Sequence, residues 1–179
     1  MNVSDEIWGK AKKIKAIIFD VDGVLTDGGI IYDNNGLEYK IFNVKDGHII
    51  QYLKINEILT GVITGRDSAV VRNRCKELKF DFHYHGVKMK GEKFEQVLME
   101  KGLSKEEVAY IGDDINDLPI LTQCGLSATP LDGHYKVKER VDLVLNTKGG
   151  EGALRELADL ILEAKGVYDH IIDSQITNG

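Results

Sequence analysis

Cysteine is scarce in this chain: Cys75 and Cys124 are the two in 179 residues, and they lie in separate segments. With no CxxC pair, neither a zinc knuckle nor a disulfide framework is expected, and both cysteines read as small buried apolar residues. Blocks of Lys or Arg are also missing, and the formal net charge is −6. A nucleic-acid partner is therefore not expected. An anionic substrate must be met by local cations, because the global field will not attract it. No apolar run approaches the roughly 18 residues that span a bilayer, so no membrane partner is expected. The N-terminus lacks the basic, apolar, small-residue order of a secretory signal, which predicts a cytoplasmic protein. Repeats, low-complexity tracts and interdomain linkers are absent too. Residues 1–179 thus read as one domain, long enough to bury a sizeable core.

What is present alternates. Residues 3–13 read as a short amphipathic helix over the core and 15–20 as the first strand. Residues 30–42 read as a hairpin, with Asn35-Gly36 as its turn signal. Its second strand puts Leu37, Tyr39 and Ile41 on one face, with Glu38 and Lys40 on the other. Helices are expected at 46–57, 67–78, 90–101, 115–124 and 149–164. Strands are expected at 59–64, 81–85, 108–112, 126–128 and 141–145. Ser104-Lys-Glu-Glu107 is a capping box. The tail, 168–179, reads as weakly structured and flexible. Strands alternating with helices imply an α/β fold, a doubly wound, Rossmann-like parallel sheet that binds ligands at the carboxyl ends of its strands.

Those strand ends carry unusual chemistry. In Ile17-Ile-Phe-Asp-Val-Asp-Gly-Val-Leu-Thr26 an apolar run stops at Asp20 and Asp22. The next core strand ends in Thr64-Gly65-Arg66, and another in Gly112-Asp113-Asp114, with Asp117 one helical turn on. Lys90 opens a helix between them. Two acids at a buried strand end have no capping duty, although Asp114 or Asp117 alone would suit a cap. Five converging carboxylates need a cation, and all-oxygen donors point to Mg²⁺. Thr64, with its hydroxyl and its N–H at a helix start, suits phosphate oxygens. Lys90 supplies fixed positive charge for a phosphoryl group in transfer.

This ordered set resembles the haloacid dehalogenase-like phosphatase superfamily along essentially the whole chain. The resemblance implies that Asp20 attacks phosphorus to form an aspartyl-phosphate. Asp22 would protonate the leaving alcohol and then activate water. Mg²⁺ would be bound by Asp20, the Asp22 backbone carbonyl and Asp113. Thr64 and Lys90 would hold the transferring oxygens. Asp114 would orient Lys90 or a metal-bound water, with Asp117 in support.

Too little chain lies between these motifs for a cap domain. The sequence is similar to the capless branch, and most closely to the 3-deoxy-D-manno-octulosonate 8-phosphate phosphatases. The agreeing stretches are 20–28, 42–47, 63–66, 109–114 and 148–153. Those enzymes act in synthesis of the inner sugar of lipopolysaccharide. A lone two-stranded ribbon is marginal in water and needs a surface. In the resembled family hairpins of four subunits associate, so a homotetramer with neighbours covering the active sites is expected.

The resemblance makes the substrate a phosphorylated sugar acid, whose carboxylate needs a cation other than Lys90. Arg66, beside Gly65, suits that carboxylate. Arg74 and Lys148 are further candidates, with solvated surface charge as the alternative for both. Related phosphatases for 2-keto-3-deoxynononate 9-phosphate tend to carry an acid after the Thr-Gly pair. Arg66 therefore favours the eight-carbon acid. A non-catalytic assembly module of similar fold is the remaining alternative. Met89 stands where the family commonly has Asp before the lysine, which puts the hydrogen bonding of that helix start in doubt. His83 and His85 alternate on a strand. A zinc site would need further ligands, and none stands at a suggestive spacing.

Overall fold

The structure, a computed structural model, describes residues 3–178. Six strands form the main sheet: β1 (Ala16–Phe19), β4 (Leu59–Ile63), β5 (Phe82–Tyr84), β6 (Val108–Ile111), β7 (Leu126–Thr129) and β8 (Leu143–Val144). Their order is β5-β4-β1-β6-β7-β8, and every pairing is parallel. A separate antiparallel ribbon joins β2 (Ile31–Tyr32) to β3 (Glu38–Tyr39). The helices are α1 (Asp5–Lys13), α2 (Val44–Ile55), α3 (Ala69–Glu77), α4 (Lys90–Lys101), α5 (Leu118–Leu121), α6 (Tyr135–Lys138), α7 (Ala153–Ala164) and α8 (Tyr168–Asn178).

β1 is central and buried along its whole length. Its alternation feeds two cores, because successive strand side chains point to opposite faces. Ile17 and Phe19 pack with residues of α1, α2, α3 and α7, while Ala16 and Ile18 pack with residues of α4, α5 and α6. This is the doubly wound α/β sheet expected from the sequence. Between β1 and β4 stand only the ribbon and α2, so no cap domain intervenes.

Four elements differ from expectation, one of them α6, where no helix was expected. The helix expected at 115–124 splits into a 3-10 turn (Ile115–Asp117) and α5, with Pro119 in the first turn of α5. The helix expected from Gly149 begins at Ala153. Residues 149–150 instead press on the loop after β1, where a Cβ at Gly149 would lie 2.0 Å from the Gly23 carbonyl oxygen. The tail read as weakly structured is α8, whose Tyr168 and Ile171 pack against the core beside α7. Its composition hid that small apolar anchor.

The ribbon turns its charged face inward. Asp33 caps its turn through the Asn35 and Leu37 N–H groups, and Gly36 takes φ +80°. Polar Glu38 and Lys40 face the sheet. Tyr32, Leu37, Tyr39 and Ile41 are all about half exposed or more.

Candidate active site

The carboxyl ends of β1, β4 and β6 meet in a cleft of about 230 Å³ lined by Asp20, Asp22, Thr64, Arg66, Asp113 and Asn116, among others. Lys90 is the hub beneath it. Its Nζ lies 2.6 Å from Asp20 Oδ2 and 2.7 Å from Asp117 Oδ1, and all three side chains are buried. Lys90 opens α4 without a side-chain cap from Met89, so the departure at Met89 does leave the helix start bare.

Asp117 has no lone pair to spare for a ligand. Oδ1 also accepts from the Tyr110 hydroxyl at 2.6 Å, and Oδ2 accepts from the Asp113 and Asp114 N–H groups at 3.1 and 3.2 Å. Asp117 therefore orients Lys90, one of the two roles expected of Asp114. Asp114 instead accepts from Ile115 N at 2.7 Å and caps its own 3-10 turn. A turn of that tightness brings Asp117 back under the strand end.

The remaining acids are electrostatically overcrowded. Asp20, Asp113 and Asp117 carry oxygens within 4.8 Å of one another. Burial first, then Asp117 and Asp20, push Asp113 up from 3.8 to about 7. Burial and Asp117 also raise Asp20, although Lys90 opposes them. Burial alone would lower Lys90, but Asp20 and Asp117 outweigh it and keep the ammonium charged. One lysine among three carboxylates leaves uncompensated negative charge. That set fits a hard divalent cation with oxygen ligands. Gly23 makes the room: it takes φ +82°, and a Cβ there would stand 2.1 Å from Asp113 Oδ2.

Asp22 turns toward the ribbon. Its Oδ1 accepts from the buried Lys40 Nζ at 2.5 Å, and its Oδ2 lies 3.5 Å from Arg66 Nε. Arg66 also donates to Glu38 Oε1 at 3.0 Å and to the Tyr32 hydroxyl at 3.1 Å.

Comparison with known proteins narrows the reading. Residues 84–157 match the haloacid dehalogenase-like hydrolase family. The 3-deoxy-D-manno-octulosonate 8-phosphate phosphatase of Escherichia coli K12 is 41% identical over 167 residues, covering 93% of this chain and 89% of the relative. The Haemophilus influenzae enzyme is 43% identical over 157 residues, covering 88% and 87%. The chain belongs to the 3-deoxy-D-manno-octulosonate 8-phosphate phosphatase family. The Moraxella catarrhalis phosphatase, solved with magnesium, phosphate and KDO, is 38% identical with TM-score 0.93, over 95% of this chain and 98% of that one. The cobalt-bound H. influenzae phosphatase superposes with TM-score 0.85 at 43% identity, over 89% and 95%.

Not every expected residue of this family member reaches the cleft. Asp20, Asp22, Thr64, Gly65, Arg66, Asp113 and Asp114 do. The Thr64 N–H is spent on the Tyr84 carbonyl at 3.0 Å, because β4 is still paired with β5 there. Its hydroxyl has no hydrogen bond among the described residues. Arg74 lies outside, in a neighbouring groove shared with Lys40 and Phe42, and pairs with Glu77 at 2.9 Å. Lys148 begins the turn that presses on the loop after β1, but it does not line the cleft. Lys40, Glu38, Tyr110 and Asn116 were not anticipated. The strand alternation had already placed Lys40 and Glu38 on one face of the ribbon.

Proposed function

We propose that this chain is a Mg²⁺-dependent phosphatase that hydrolyses 3-deoxy-D-manno-octulosonate 8-phosphate to the free sugar acid and phosphate, in lipopolysaccharide precursor synthesis. One observation carries the reading. A buried lysine bridges Asp20 and Asp117 beside an overcrowded Asp113, in a chain 41% identical to an enzyme of that activity.

Asp20 is the nucleophile. Its Oδ2 is held by Lys90, and its Oδ1 by the Val21 N–H at 2.7 Å. An Asp20 oxygen attacks phosphorus in line while the ester P–O bond breaks, and the sugar alkoxide takes a proton from Asp22. Asp22 then takes a proton from water as that water attacks the aspartyl-phosphate, which releases phosphate and restores Asp20. Asp20, Asp113 and the Asp22 carbonyl would hold the magnesium ion, which supplies charge stabilisation for the phosphoryl oxygens when bound. Lys90 and the Thr64 hydroxyl hold those oxygens. Arg66 lies at the cleft edge, where the carboxylate of an eight-carbon acid competes for it with Glu38. Arg74 and Lys148 would contact substrate only with help from a neighbouring subunit.

The exposed apolar face of the ribbon supports a homotetramer, with each neighbour covering a cleft. Among the described residues no helix is long and apolar enough to cross a membrane. The reading takes the 179 residues as one phosphatase domain acting in the cytoplasm.

The test is phosphate release from sugar-acid phosphates with Mg²⁺ and with chelator, on wild type and Asp20→Asn. Release that is Mg²⁺-dependent and lost in the variant supports the reading. No release from any sugar-acid phosphate would favour a non-catalytic assembly module. A higher kcat/KM for 2-keto-3-deoxynononate 9-phosphate would transfer the assignment to that substrate. A fully active monomer in light scattering would refute the tetramer.

A further inference from the structure

A second group of metal-ligating side chains lies outside the cleft. Cys75 on α3, His83 on β5 and His85 just after it bring one ligand atom each to within 4.8 Å of one another. Sequence spacing concealed Cys75, because only the return from α3 into β5 brings the thiol against the strand. His83 Nδ1 and His85 Nε2 stand 2.8 Å apart, so one ring must donate to the other. His85 Nδ1 is buried without a partner. Cys75 is buried, while His83 and His85 are partly exposed, so an ion can reach them from solvent.

We propose that Cys75, His83 and His85 form a second cation site, selective for zinc-like thiophilic ions and separate from the magnesium cleft. One sulfur and two imidazole nitrogens suit Zn²⁺ and leave a fourth position for water, whereas Mg²⁺ demands oxygen. Tetrahedral zinc, with bonds of roughly 2.0–2.3 Å, spaces neighbouring donors by about 3.4–3.6 Å. The two rings must therefore part slightly to admit it, and the ring that now donates must carry its proton on its other nitrogen instead.

The surroundings favour the ligating form of the two imidazoles and oppose that of the thiol. Burial, with Arg72 and Lys76 nearby, holds the His83 imidazole down. Burial and Arg72 bring His85 to about 4, against a small opposing pull from Asp67. Both rings are thus neutral and able to bind metal at neutral pH. Burial raises the Cys75 thiol to about 11, so the ion must displace its proton to solvent, which makes binding pH-dependent. Arg72 is partly neutralised by Asp67, at 2.7 and 2.8 Å. Its remaining charge favours a thiolate.

The position gives the site a consequence. Tyr84, between the histidines, accepts from Thr64 N, and Gly86 N donates to the Arg66 carbonyl at 3.2 Å. An ion joining α3 to β5 would clamp the edge strand to which the Thr64–Arg66 loop, following β4, is hydrogen-bonded.

The experiment is a Co²⁺ titration of the full chain in saturating Mg²⁺, followed by thiolate-to-cobalt charge-transfer absorption. The oxygen ligands of the cleft cannot produce that signal. The expected result is saturation at one equivalent per chain, abolished in Cys75→Ser and unchanged in Cys124→Ser. His83→Gln should weaken cobalt at least about tenfold, since even outer-shell partners cost that much. The His83 variant also keeps the test alive if Cys75→Ser fails to fold. No charge-transfer band in wild type, a band that survives Cys75→Ser, or an affinity untouched by His83→Gln would each overturn the site.

Discussion

Lys90 and Asp117 form a buried pair at 2.7 Å in which the carboxylate, through its four hydrogen bonds, fixes where the ammonium stands. The pair connects two helices to the end of β6. It also aims the remaining donors of Lys90 at Asp20 and the cleft.

Replacing Lys90 with Met should therefore damage both chemistry and fold. Loss of one positive group at the developing phosphoryl charge lowers kcat by about 10²–10³. Leaving Asp20 and Asp117 buried without their cation destabilises by about 3–5 kcal/mol. Steady-state kinetics and urea unfolding measure the two effects. An unchanged kcat would remove Lys90 from the reaction. Asp117→Asn should lower kcat more than it raises KM, because that residue touches Lys90 rather than the substrate.

Gly23→Ala tests the space around Asp113. The new Cβ would stand 2.1 Å from Asp113 Oδ2 at a φ of +82°. Left-handed backbone costs an alanine about 1–2 kcal/mol, and the carboxylate must move aside. The concentration of Mg²⁺ giving half-maximal activity should rise at least about tenfold, as for other disturbed ligand shells. An unshifted Mg²⁺ dependence would mean that Asp113 is not held by this contact.

Lys40 was legible in the sequence only as one of two polar residues on a ribbon face. Alternation separates the faces but does not say which one is inward. Here the inward face is the charged one, because Asp22 and Arg66 offer Lys40 and Glu38 ionic partners. Asp20, Asp22 and Asp113 were readable because each interrupts or ends a buried apolar strand. Asp117 rather than Asp114 meets Lys90 because a 3-10 turn follows β6, and residue spacing alone does not distinguish that turn from an α-helix. Cys75 gave no signal at all, since its partners come from a different element. The parallel sheet was open to reading because its strands alternate with helices, but their spatial order was not, since alternation does not say which strands are neighbours.

Lys40→Met should leave the fold intact and slow the enzyme. Asp22 would keep Arg66 at 3.5 Å but lose its shorter partner at 2.5 Å. Misplacement of a general acid–base group forfeits part of the roughly 10²–10⁴-fold that such groups contribute. A fall in kcat with near-constant KM, together with an unchanged assembly in light scattering, is the expected pattern. A change in KM alone would assign Lys40 to substrate binding instead.

Asp46 sets a pH dependence that does not involve the cleft. Its Oδ1 accepts from Arg155 N at 2.8 Å in the first turn of α7, and its Oδ2 is buried without a partner. Burial raises the group from 3.8 to about 6, against the opposing effects of the Arg155 N–H and of the Arg155, Arg74 and Lys45 charges. The folded state thus holds a proton that the unfolded state releases between these values. Stability from this group is complete below 3.8 and is lost as pH rises toward 6. The loss is on the order of 2–3 kcal/mol, at about 1.4 kcal/mol per pKa unit. Asp46→Asn keeps the acceptor for Arg155 N and cannot ionise. The variant should match wild type near pH 4 and exceed it by about that amount above pH 6. Urea midpoints of both proteins across this range, with chelator present, isolate Asp46, since Asp20 and Asp113 titrate alike in the two proteins. A gap between the curves that does not change with pH would show that Asp46 is ionised throughout, held by Arg155 and Arg74 against its burial.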